Sequence, residues 1–124
     1  MVRIAVEGLE QDIVPLISKI IEIGGYEVCY KNESSFLDDK SELVGKILDS
    51  NPDMVLLCNA NGYLPFLKNY SKVSKVPILV LTGGGPDVVR DVKEYVPNVL
   101  DMPFSNFRGL YDKINQVLME HKNK

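Results

Sequence analysis

Two runs in this sequence carry almost no polar side chain: Met54-Val55-Leu56-Leu57-Cys58 and Ile78-Leu79-Val80-Leu81. A strand with one wet face alternates apolar and polar residues. A strand that is apolar throughout is covered on both faces, as in the centre of a parallel sheet with helices on each side. Neither run approaches the roughly 20 residues needed to cross a bilayer, so no membrane segment is expected. These two runs limit the chain to layered α/β architectures.

The segments around them follow a regular order. Arg3 to Glu7 reads as a first strand, followed by a helix with Ile13, Leu16, Ile17, Ile20, Ile21 and Gly24 at three-four spacing. Pro15 fits the first turn of that helix, where a missing N–H costs little. Gly24-Gly25 is a stop, because glycine accepts the left-handed conformation at a helix end. Tyr26 to Tyr30 is a short second strand. Lys40 to Ser50 is a helix with Leu43, Val44, Ile47 and Leu48 on one face, and Asn51-Pro52 ends it before the strand Met54 to Cys58. Tyr63 to Tyr70 is a weakly specified third helix, and Pro77 to Leu81 is the fourth strand. Gly83-Gly84-Gly85-Pro86 leads into a helix ending near Tyr95, and Asn98 to Asp101 is a brief fifth strand. Ser105 can cap a last helix striped by Leu110, Ile114, Val117 and Leu118, with a fraying end from Glu120 to Lys124.

Five strand-then-helix units imply parallel pairing through right-handed crossovers. The expected fold is a three-layer, doubly wound (βα)5 parallel sheet in the flavodoxin-like order 2-1-3-4-5. With 124 residues the chain makes one domain, residues 1–124, large enough for a core of its own. Ligands of such sheets bind beyond the carboxyl ends of the strands, here Glu7 to Glu10, Cys58 to Gly62, Thr82 to Gly85 and Asp101 to Pro103.

Composition removes several functions. A net charge of -3 lacks the basic face that phosphate counterion release requires, so no nucleic-acid partner is expected. Cys29 and Cys58 lie in different apolar segments without C-x-x-C spacing, which reads as reduced thiols in a cytoplasmic protein. The first loop, Glu7-Gly8-Leu9-Glu10-Gln11-Asp12, has one glycine and three acids. It therefore suits neither a dinucleotide pyrophosphate nor a flavin phosphate. The single histidine, His121, sits near the C-terminus and reads as a solvated tail residue rather than a cobalt or zinc ligand. Leu64 occupies the place where a cysteine phosphatase loop starting at Cys58 would need arginine. No cofactor is expected.

Three segments in correct order resemble response-regulator receiver domains over about residues 2 to 119. Asn51-Pro52-Asp53-Met54-Val55-Leu56-Leu57-Cys58 is similar to their third strand, in which the last position is the phosphate-accepting aspartate. Val76-Pro77-Ile78-Leu79-Val80-Leu81-Thr82-Gly83 resembles the fourth strand, ending in a hydroxyl residue and a small one. Met102-Pro103-Phe104 resembles the Lys-Pro-Phe that follows the fifth. The resemblance implies a pocket at Glu7, Glu10, Cys58, Asn59, Thr82, Gly83 and Met102, but its chemistry departs from the family's. Cys58 cannot form an acyl phosphate and Met102 carries no charge. Ungapped, the family's acidic pair falls on Gly8 and Leu9, with Glu7 and Glu10 close by. The Mg²⁺ that the family holds there wants several oxygen ligands, and the central carboxylate is missing. Val99 stands where active receivers place a switching aromatic.

The resulting expectation is a non-catalytic, phosphorylation-independent pseudo-receiver that binds a protein partner. The resemblance implies pairing, including a homodimer, through the fourth helix, fifth strand and fifth helix. The alternative is a small-ligand or anion-binding module in the neutral pocket, with Gly83-Gly84-Gly85 as an anion nest rather than a plain turn. Taken by themselves, Glu7 and Glu10 read as solvated loop charges, and Cys58 as a small hydrophobe rather than a reactive thiol.

Overall fold

The computed structural model describes residues 1–8, 13–32, 40–58, 63–82, 85–101 and 107–122. Ten elements alternate along the chain: β1 Arg3–Glu7, α1 Ile13–Ile23, β2 Glu27–Lys31, α2 Lys40–Asp49, β3 Met54–Leu57, α3 Leu64–Val73, β4 Ile78–Thr82, α4 Gly85–Lys93, β5 Val99–Asp101 and α5 Phe107–Lys122. The strands form one parallel sheet in the order β2-β1-β3-β4-β5, as the alternation predicts. The Ser105 cap lies outside the described residues.

Period-two alternation divides the core into two layers. Ile4, Val6, Met54, Leu56, Cys58, Leu79 and Leu81 face α1 and α5, where they meet Val14, Ile17, Ile21, Leu110, Ile114 and Val117. Ala5, Val55, Leu57, Ile78 and Val80 face the other way, onto Val44, Ile47, Phe66, Leu67, Tyr70 and Val92. Every residue of β3 and β4 is buried, which explains why these two strands read as unbroken apolar runs.

Leu16, in the middle of the expected helix stripe, is misplaced. Leu16 is 57% exposed, whereas Val14, Ile17, Ser18, Ile20 and Ile21 are buried. Two residues of helix turn the chain by about 200°, so Leu16 points away from the layer that Val14 enters. Ser18 takes the buried place instead, with its hydroxyl donating to the Val14 carbonyl at 2.7 Å.

The second strand runs one residue later than expected and carries a register shift. Ile4 pairs with Val28, but Ala5 pairs with Tyr30, so Cys29 is skipped. A one-residue slip moves all later side chains to the opposite face. Cys29 and Tyr30 consequently pack against the same layer, and Tyr30 faces the end of β1.

At the amino ends of the strands, Arg3 ties three elements together. Its guanidinium donates to the Ser50 carbonyl at 2.7 Å and to the Asn51 carbonyl at 3.1 Å, and it pairs with Glu27 on β2. A cation just beyond the carboxyl end of α2 complements that end of the helix dipole. Asn51, at φ 56°, turns the chain through the left-handed region that asparagine tolerates. The end of α1 is held from the other side. Tyr111 donates to the Ile20 carbonyl at 2.6 Å, and its ring lies over Gly24, where a Cβ would stand 2.5 Å from Tyr111 Cε1. Gly24→Ala is therefore expected to destabilise the protein by about 1–3 kcal/mol, as overpacking does. A denaturant midpoint with an unchanged m-value checks it.

Candidate functional site

The strand ends give the site two faces. On the α1 face, Cys58 extends β3 by one hydrogen bond, its N–H donating to the Glu7 carbonyl at 2.8 Å. The thiol is 1% exposed and belongs to the apolar layer with Val14. Gly8 closes over it: a Cβ at position 8 would lie 2.9 Å from Val14 Cγ2 and 3.1 Å from Cys58 Cβ. An acid at position 8 would need those side chains to move apart first.

On the other face lies Glu7, which is fully buried. The solvated loop charge expected from the sequence is thus corrected: Glu7 is the last residue of β1, paired with Leu57, and its side chain enters the layer beneath α2 and α3. Burying a carboxylate is tolerable only when its lone pairs are filled. Tyr30 donates to Oε1 at 3.0 Å, while Tyr63 and Asn32 donate to Oε2 at 2.5 and 2.6 Å. The ion pairs among the described residues are Arg3 with Glu27 and Arg90 with Asp87 and Asp91, so none reaches Glu7.

Each donor arrives by a different local device. The register shift in β2 aims Tyr30, and Asn32 continues that strand by donating its own N–H to the Val6 carbonyl at 3.2 Å. Tyr63 is the residue before α3; its carbonyl accepts from the Leu67 N–H at 2.9 Å, and Pro65 sits in the first turn. Its ring meets Phe66 edge-on, with centroids 5.7 Å apart. Burial, and then the hydrogen bond to Glu7 and its negative charge, push the Tyr63 phenol far above its usual range. Burial, followed by the charge of Glu7, does the same for Tyr30.

Of the other pocket positions, Thr82 is the buried last residue of β4 and pairs with Asp101. Glu10, Asn59, Gly83 and Met102 lie outside the described residues. Cys58 and Glu7, joined in one pocket by sequence reasoning, send their side chains to opposite layers. Tyr30, Asn32 and Tyr63 were missed; no spacing in the sequence signals them, because a register shift and a helix entry bring them to Glu7.

The Mg²⁺ implied by the receiver resemblance does not fit these residues. Both Glu7 oxygens are occupied, position 8 has no room for an acid, and Cys58 is packed among apolar side chains. Among the described residues, no three of His, Cys, Asp and Glu come together as a metal site. No helix among them is long and apolar enough to cross a membrane. Two open clefts lie at the amino ends of the strands and share Val76, Pro77 and the exposed His121.

No family model matches the chain, and no curated protein sequence does. Solved structures do. A response regulator receiver domain protein from Clostridium thermocellum superposes with a TM-score of 0.75 at 23% identity, covering 98% of each chain. The signal receiver domain of a modulated diguanylate cyclase from Desulfovibrio desulfuricans gives 0.72 at 20%, over 97% of this chain and 94% of that one. NtrX from Brucella abortus gives 0.76 at 22%, with 98% of this chain spanning 27% of that protein. At these identities the likeness establishes the receiver fold alone.

The tyrosine cluster sets an expected response. Tyr63→Phe should lower stability by about 1.5–3 kcal/mol, the worth of a hydrogen bond to a charged group. Because folding raises both phenol pKa values above 10.0, their contribution is complete below that pH and is lost as pH rises past it. Denaturant midpoints between about pH 8 and 11.5 should therefore fall more steeply for the wild type than for Tyr63→Phe, following the phenol ionisation range.

Proposed function

We propose that this chain is a phosphorylation-independent receiver-like module, non-catalytic, that works in a signalling assembly by binding a protein. The observation that carries the reading is the state of Glu7 and Cys58, the two described positions at the ends of β1 and β3. The carboxylate at the end of β1 takes three hydrogen bonds from the chain's own donors, and the phosphate-accepting position is a thiol packed under Gly8 and Val14. In-line transfer of a phosphoryl group needs an accessible oxygen nucleophile and charge-stabilising partners; the crevice supplies neither at these positions.

The proposed docking face is α4, β5 and α5, with a second copy of the chain as one partner. Supporting this, α4 carries exposed Asp87 and Arg90 beside half-exposed Asp91. Val88, Tyr95 and Val99 pack against the core layer that holds Val92 and are only partly buried. Charges of both signs on one patch suit an isologous pairing, in which each copy's arginine meets the other's acid.

Two measurements test the reading. Amide resonances of Glu7, Cys58 and Thr82 should stay still through a titration with Mg²⁺ and then Mg²⁺ plus beryllofluoride. Saturable shifts there would overturn phosphorylation independence and favour a pocket that still reads a cation or anion. Sedimentation should show a dimer that weakens with added salt and is lost in Arg90→Glu; a monomer at every concentration would remove the homodimer.

A further inference from the structure

We infer that Glu7, Tyr30, Asn32 and Tyr63 form a permanent clamp, in which neutral donors take the place of a bound cation and hold the carboxyl ends of the sheet in one conformation. The inference rests on the phosphorylation-independent reading and adds what keeps that site in a single state. Three segments that leave the sheet separately meet at one carboxylate: the end of β1 supplies Glu7, the end of β2 supplies Tyr30 and Asn32, and the entry to α3 supplies Tyr63. The charge is fully buried and unaccompanied by a cation among the described residues. Each donor lost therefore leaves lone pairs that water must reach from outside, and water can reach them only by parting the segments.

A metal-held crevice depends on what is dissolved around it. A crevice held by hydroxyl and amide groups does not, so its state is a property of the chain itself. The segments are also interdependent. Tyr63 and Asn32 share Oε2, and Tyr30 takes Oε1, so loosening any donor changes the field felt by the other two.

Native-state hydrogen exchange reads this directly, through amides whose bonds end at the clamp: Asn32 to Val6, Cys58 to Glu7 and Leu67 to Tyr63. Val55, bonded to Pro77, and Val80, bonded to Asn98, report on the sheet away from the clamp. In Tyr63→Phe the three clamp amides should exchange about tenfold or more faster, beyond any change at Val55 and Val80. Tyr70→Phe is the matched control. It removes another buried phenol, bonded at 2.9 Å to the Val76 carbonyl at the far end of β4. It should leave the clamp amides in step with the rest of the sheet. Tyr30→Phe, at a half-buried phenol, gives the same pattern in milder form and serves if Tyr63→Phe does not fold. Clamp amides that move only with Val55 and Val80, or that respond equally to Tyr70→Phe, overturn the clamp. That outcome with a silent beryllofluoride titration leaves the phosphorylation-independent reading standing. A responsive wild-type titration removes that reading whatever the exchange rates show.

Discussion

A carboxylate taken wholly out of water has to be compensated within the fold, and in this protein the burden falls on Glu7. Leaving such a group uncompensated costs several kcal/mol even after the surroundings relax. Three details answer that single requirement. The register shift after Val28 turns Tyr30 toward the carboxylate, Asn32 bonds its N–H to the Val6 carbonyl and so delivers its amide, and α3 begins directly after the residue whose phenol is needed. Removing any one of these features would leave the end of β1 with a charge and too few donors. Local geometry that looks irregular strand by strand becomes consistent once the buried charge is taken as the cause.

The two faces of the sheet divide the work. One face seals Cys58 beneath Gly8 and Val14 in an apolar layer, and the other holds the hydrogen-bonded charge. A carboxylate in place of the thiol would enter the apolar layer that holds Val14, Leu56 and Leu81, so restoring an acid there is a packing problem before it is a chemical one. The scaffold is that of receiver domains, and the solved structures it resembles share that shape at 20–23% identity.

Most of the architecture was legible in the sequence because it rests on period and punctuation. The all-apolar stretches from Met54 and Ile78 mark covered central strands, Gly24-Gly25 and Asn51-Pro52 mark helix ends, and the alternation of strands with helices implies parallel pairing. Leu16 was misread because a three-four count accepts a residue on either edge of a stripe, and only packing against β1 and β3 decides which edge is buried. Glu7 was misread more deeply. An acid in an acidic loop looks solvated, and its burial depends on a strand that skips Cys29 and on a tyrosine 56 positions away. Neither leaves a mark in composition or spacing. Cys58 is buried, as expected of a small hydrophobe at the end of an apolar run.

The same partition gives the protein a pair of built-in reporters. Cys29 is half-buried on the edge strand beside Ser50, and Cys58 is sealed in the opposite layer. A thiol is labelled as its thiolate and only when a reagent can reach it. Alkylation of Cys29 therefore follows fraying at the sheet's margin, while alkylation of Cys58 waits for α1 to lift from the sheet. Without any engineered probe, two rates of modification separate the opening of one helical layer from the opening of the other.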